Sequence, residues 1–244
     1  MAVNEAYDWR RSDRRLFGLI AILFVAVVLL GFGRTYYLKF AFESRPVSSM
    51  LIHLHGMVMA AWVLLFAGQV WLIRSKRHRL HMTLGLSAVA LAAVVMVTGF
   101  FTAVAAAKYG TASAPPDIPP LAFMIVPVVD VVLFGLFFGA AFVYRKQPAT
   151  HKRLMLLTVI NFLPPALARF PFDWVLSAGP LFFFGVPAAA AIAFIAYDRI
   201  QTGRVNKPFL IGAVILIVSY PLRLAISGTP LWMNFAGWLT TWAA

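Results

Sequence analysis

Seven apolar runs dominate this chain, and they leave few folds open to it. They are Leu16–Phe32, Leu51–Ile73, Thr83–Ala107, Leu121–Tyr144, Leu154–Arg169, Pro180–Tyr197 and Phe209–Ile226. A helix that crosses a bilayer needs about 20 mostly apolar residues, within a range of roughly 17 to 25. Six runs lie inside that range. The fifth is slightly short and is flanked by Lys152, Arg153 and Arg169, whose stems can reach the interface. The runs are continuous and do not alternate, which selects helices over a barrel. The expectation is an all-α fold: one polytopic membrane bundle of seven transmembrane helices that uses residues 1–244.

Composition agrees. The chain is 62% hydrophobic and only 12% charged, so a soluble domain would leave too much apolar surface in water. Disorder needs low hydrophobicity and is excluded. With no cysteine there are no disulfides and no thiolate chemistry. The first run lacks a small-residue cleavage site after it and is expected to be an uncleaved first span.

The net charge of +13 is largely a topology signal. Basic residues favour the cytoplasmic side of a membrane. Arg10, Arg11, Arg14 and Arg15 precede the first span, and Arg74, Lys76, Arg77 and Arg79 join the second to the third. Arg145, Lys146, Lys152 and Arg153 join the fourth to the fifth, and Arg199, Arg204 and Lys207 the sixth to the seventh. These segments hold 15 basic residues against 6 elsewhere. The expected orientation has the N-terminus in the cytoplasm and the C-terminus outside, with anionic lipid at the inner leaflet. The basic loops are too short to form a nucleic-acid surface. On the outer side, Gly110–Pro120 carries four prolines and reads as an extended loop. Phe170–Gly179 suits an interfacial segment. The last segment, with Pro230, Trp232, Trp238 and Trp242, reads as an interfacial helix over about 230–242.

The two central basic loops resemble each other. Aligning His81 with His151, an offset of 70, also matches Leu84 to Leu154. Each unit is a hairpin that re-enters the membrane just after a histidine, and parallel repeats often frame a site between them.

Five histidines carry most of the chemical content: 53, 55, 78, 81 and 151. His81 and His151 open different helices at matched depth on one side, the arrangement that holds a haem iron from both faces. Gly85, four residues after His81, gives room for a flat macrocycle, and nearby Arg and Lys can pair with its propionates. A second reading has His78, His81 and His151 chelating one metal ion. The ordinary reading is a basic loop edge wetted by headgroups. His55 lies near the other side of the membrane, on a face with Met59, Trp62, Phe66 and Gln69. His53 points about 200° away, along the small residues Gly56 and Ala60. His55 is therefore the better ligand candidate of the two. Gln69 is expected to bond a neighbouring helix.

A second polar group occupies the outer half. Asp130 interrupts an apolar run about 13 Å below the edge and needs a partner, with Arg169, Arg223 and His55 in reach. Asn161 lies near mid-membrane. Asp130, Asn161, Arg169 and Arg223 form either a structural ion-pair cluster or a site for an anionic or quinone-like ligand. Pro164 and Pro165 break the fifth helix near its middle.

HLHG at 53–56, LHMTLG at 80–85, HKRLML at 151–156 and PPALARFP at 164–171 together resemble a group of uncharacterised bacterial multi-pass membrane proteins. More distantly, the two hairpins are similar to cytochrome oxidase assembly membrane proteins and to cytochrome b-type membrane proteins. That likeness implies haem b, a role in electron transfer or in haem or oxidase assembly, and a respiratory-chain or membrane-complex partner. The chain departs from the di-haem pattern, since the outer side offers His53 and His55 on one helix only. At most one bis-histidine haem fits. No lysine in the last run offers a retinal Schiff base, and no Gly-rich phosphate loop, nucleophile elbow or HExxH motif is present. The competing functions are a small-ligand transporter, channel or receptor built on the outer polar group, and an assembly partner without chemistry of its own.

Overall fold

The computed structural model describes residues 2–42, 49–110 and 117–242; the side chains of 2–12 and of residue 176 lie outside that description. Arg45 and the centre of the proline-rich loop at 111–116 are therefore not among the described residues, and Arg10 and Arg11 are described by their backbone alone. Every regular element among the described residues is helical. The elements are α1 (Ala2–Phe32), α2 (Met50–Arg74), α3 (His78–Tyr109), α4 (Pro120–Phe123), α5 (Ile125–Val143), α6 (Pro148–Asn161), α7 (Leu163–Leu167), α8 (Asp173–Thr202), α9 (Lys207–Ser227) and α10 (Pro230–Thr240). Among the described residues, six stretches are helical, long and apolar enough to cross a membrane: Asp13–Tyr37, Met50–Arg74, His78–Tyr109, Pro120–Lys146, Ser177–Thr202 and Lys207–Ser227.

Local chemistry sets the helix ends. Ser49 caps α2 by accepting the Leu51 N–H, and Asn206 caps α9 by accepting the Phe209 N–H at 3.1 Å. Thr229 does the same for α10, with Pro230 as its first residue. α3 and α8 stop at Gly110 and Gly203, which take the positive φ values of 64° and 68° that close a helix. Within α8, Gly179 breaks the helix at φ 52° and ψ −140°. This separates a short piece, 173–178, from the apolar run that begins at Pro180. α1 extends further toward the N-terminus than the first apolar run, and it continues beyond Phe32 as a π-helical turn, Gly33–Tyr37.

The turns α2–α3, α5–α6 and α8–α9 gather at one end of the bundle with the Asp13 region of α1. Arg74 donates to the Arg14 carbonyl at 2.8 Å, Lys152 pairs with Asp13, and Asn206 donates to Thr150 at 2.9 Å. We call this the basic end. At the far end the Trp232 indole of α10 donates to the Leu121 carbonyl at 2.9 Å, and the Tyr36 hydroxyl donates to the His53 carbonyl at 3.1 Å.

Residues 148–167 form the broken element that the proline pair predicts. α6 ends at Asn161, and α7 begins at Leu163 with Pro164 in its first turn, where a missing N–H is tolerated. At 14 and 5 residues, neither piece alone has the length of a span. The pair runs beside α1: Lys152 lies over the Phe17 ring at 5.3 Å, and Arg169 lies over the Phe32 ring at 4.8 Å. Gly31 is needed where the two cross, because a Cβ there would strike the Ala166 backbone. Leu156 through Phe162 are all buried. The largest apolar core forms around them, from Phe137 and Ala141 of α5, Leu157 and Ile160 of α6, Phe194 of α8, and Phe209 and Leu216 of α9.

Candidate functional site

His81 and His151 each occupy the fourth position of a helix, counted from His78 and from Pro148. Each helix forms a hairpin with the one before it, α2 with α3 and α5 with α6. The matched starts bring the two imidazoles together at the basic end, with ring centres 6.5 Å apart and planes at 80°. Both rings are partly buried. The His151 Nδ1 lies 2.8 Å from the Ala141 carbonyl, which can only accept, so Nδ1 carries the proton and Nε2 keeps its lone pair. The His81 Nδ1 is held by the Gln69 amide, whose oxygen meets the Gly85 N–H at 3.2 Å when its nitrogen faces the ring. Gln69 thus bonds a neighbouring helix, and the partner is the candidate ligand itself. Both rings are held through Nδ1, but in opposite senses: His151 donates from Nδ1, whereas His81 accepts there and carries its proton on Nε2.

A Cβ placed on Gly85, one turn after His81, or on the exposed Gly139 of α5 would meet nothing within 4 Å. Arg79 and Lys146 are exposed nearby in sequence. Lys152 and Arg153 are already committed. Lys152 pairs with Asp13, which also accepts from the Tyr197 hydroxyl at 3.3 Å. Arg153 grips Asp198 through Nε at 2.6 Å and Nη2 at 2.5 Å, and donates to the Ala149 carbonyl at 2.8 Å. Among the described residues no set of three His, Asp or Glu side chains gathers as a metal site, so the three-histidine chelate with His78 does not form.

His55 is separate from this pair. It lies 14 residues before Gln69 on α2, about 21 Å along the axis. Its Nδ1 meets the Thr98 hydroxyl at 3.1 Å, and Thr98 spends its own proton on the Val94 carbonyl at 2.8 Å. His55 is therefore the donor. It packs over Gly99, where a Cβ would approach its ring to 3.4 Å.

The outer polar group divides. Asp130, Asn161 and Arg223 come together between α5, α6 and α9, and they are 3%, 0% and 2% exposed. Arg223 Nη1 donates to Asp130 Oδ1 at 2.5 Å, and Nη2 donates to Ser219 at 3.1 Å. Asn161 donates to the Asp130 backbone carbonyl at 2.8 Å. Of the three candidate partners, Arg223 is the one that pairs with Asp130. Arg169 donates instead to the Pro165 carbonyl at 2.6 Å, closing the last turn of α7.

Sequence reasoning misses Ser219, Tyr220 and Thr98, which join these centres. Tyr220 and Ser219 are one helical turn from Arg223, and that spacing is the signal that marks them. Asp13 and Asp198 are also buried, and nothing in their local sequence marks them. No family model, no curated protein and no solved structure matches this chain.

Proposed function

We propose that this chain is a seven-span membrane protein that holds one b-type haem between His81 and His151, in an electron-transfer or haem-handling role. The observation that carries the reading is the pair of adjacent imidazoles. Two rings that would hold one iron between them would need centres about 6 Å apart. The spacing here is 6.5 Å. A ligating histidine characteristically has its other ring nitrogen held by a carbonyl or a polar side chain, which fixes the tautomer and orientation. Ala141 has that relation to His151; at His81 the Gln69 nitrogen donates to Nδ1, so the ring is oriented but would have to give up its Nε2 proton to bind the iron. When bound, the haem supplies a one-electron redox centre. The protein residues orient the two imidazoles, leave space at Gly85 and Gly139, and offer Arg79 and Lys146 to the propionates.

In this reading α6 and α7 together make the fifth crossing. Their course beside α1, from Asp13 to Phe32, supports it. The N-terminus is cytoplasmic, the C-terminus is outside, α10 lies along the outer interface, and the membrane is the bacterial inner membrane. The basic end meets anionic lipid and a respiratory-chain or other membrane-complex partner.

Visible absorption of the purified protein tests the haem. The expected result is a Soret band that is red-shifted on reduction, with His81→Ala and His151→Ala each abolishing the six-coordinate spectrum and His55→Ala leaving it intact. A purified protein with no Soret band after haem supplementation would sink the reading.

A further inference from the structure

The core holds a second polar centre that the histidine pair does not use. Asp130 of α5, Asn161 of α6, and Ser219, Tyr220 and Arg223 of α9 converge there, all buried. Three of their atoms have no hydrogen-bond partner among the described residues: Asn161 Oδ1, the Tyr220 hydroxyl and Arg223 Nε. These are an acceptor, a group that does both, and a donor. Asn161 is fixed beside the ion pair by its 2.8 Å bond to the Asp130 carbonyl. Tyr220 precedes Arg223 by three residues on the same face of α9, with the guanidinium 5.3 Å from its ring centre.

Leaving a buried polar group unsatisfied forfeits the hydrogen bonds it made to water. Three such groups around one ion pair point to a shared ligand. It must donate and accept, and it must be small. Asp130, Asn161, Tyr220 and Arg223 are each at most 3% exposed, and the Phe184 ring stacks on Tyr220 at 4.6 Å and 20°. Water satisfies every condition, because a buried water makes two to four hydrogen bonds to groups of this kind.

We propose that Asn161, Tyr220 and Arg223 bind an internal water beside the Asp130–Arg223 pair, so that α5, α6 and α9 meet through an exchangeable ligand. This water completes the guanidinium of Arg223 and gives the Tyr220 hydroxyl a partner.

Tyr220→Phe tests this by sign, because it removes one oxygen and little else. In a dry core the variant sheds an unsatisfied hydroxyl and its Tm rises. With a bound water it breaks a hydrogen bond, and Tm falls by about 2–4 °C. Asn161→Leu supplies the second arm. Among the described residues no direct hydrogen bond joins Asn161 to Tyr220, so a shared water makes the double variant less damaging than the sum of the singles. Infrared spectra in H2(18)O keep the test open should Asn161→Leu fail to fold. The intact protein then shows a water O–H stretch that moves on isotope exchange and that Tyr220→Phe displaces. An unchanged or raised Tm for Tyr220→Phe, additive singles, or a spectrum without such a band overturns the proposal.

Discussion

Two arginine–aspartate pairs lie in this bundle, and they use the same side chains differently. At the basic end Arg153 spends Nε and Nη2 on Asp198 and Nη1 on the Ala149 carbonyl. Its fork is matched to the carboxylate, and each of its nitrogens has a partner. In the core Arg223 reaches Asp130 through Nη1 alone, turns Nη2 to Ser219, and leaves Nε without a partner among the described residues. Both pairs are buried. Burial and opposite charge therefore do not set the role of a pair; the state of the remaining donors does. A two-pronged, saturated pair clamps α6 to α8. A one-pronged pair keeps polar capacity that something else must fill.

The largest expected effect comes from breaking the saturated clamp. Asp198→Ala strands a buried guanidinium and should cost about 3–5 kcal/mol of stability, read as a fall in the denaturation midpoint. Asp130→Asn removes one charge-assisted contact while the Arg223 donors keep Ser219 and the Val126 carbonyl in reach. Its cost should be smaller, about 2 kcal/mol. Equal penalties for the two would dissolve the distinction between them. The smallest effect sharpens the basic end. Asn206→Ala removes the cap of α9 and its bond to Thr150, and should cost about 1 kcal/mol without altering any Soret band. A spectral change in that variant would mean that the α8–α9 turn supports the histidine pair as well as the clamp.

Much of this architecture is legible in the sequence. Apolar runs of membrane length mark the helices, and Pro164–Pro165 and Pro230 mark a break and a start, because their constraints are local. The histidine juxtaposition is also legible, since His81 and His151 follow basic turns at equal distance. The partner of Asp130 is not. A buried carboxylate demands a cation, but choosing among Arg169, Arg223 and His55 requires knowing that α5 lies against α9, a contact 93 residues apart in sequence. The burial of Asp198 is hidden for a similar reason. It lies at a helix edge beside Arg199, where a charge ordinarily faces water, and only the packing of α6 on α8 encloses it. Thr98 resembles an ordinary helix threonine that bonds its own backbone, and His55 finds it only once α2 and α3 are paired.

The burial of Leu156 through Phe162 on every side has a consequence for how the chain is made. That stretch meets α5, which is synthesised before it, and α8 and α9, which are synthesised after it. Thr158 and Asn161 give it little attraction for lipid, so it cannot reach its final surroundings when it first leaves the ribosome. It must wait at the edge of a half-built bundle until α9 arrives. A cysteine placed at Ile160, which packs with α5, α8 and α9, should accordingly react with water-soluble reagents in nascent chains stopped at Thr202, and become protected once synthesis passes Ser227. Early protection would show that α1 and α5 alone suffice to seat it.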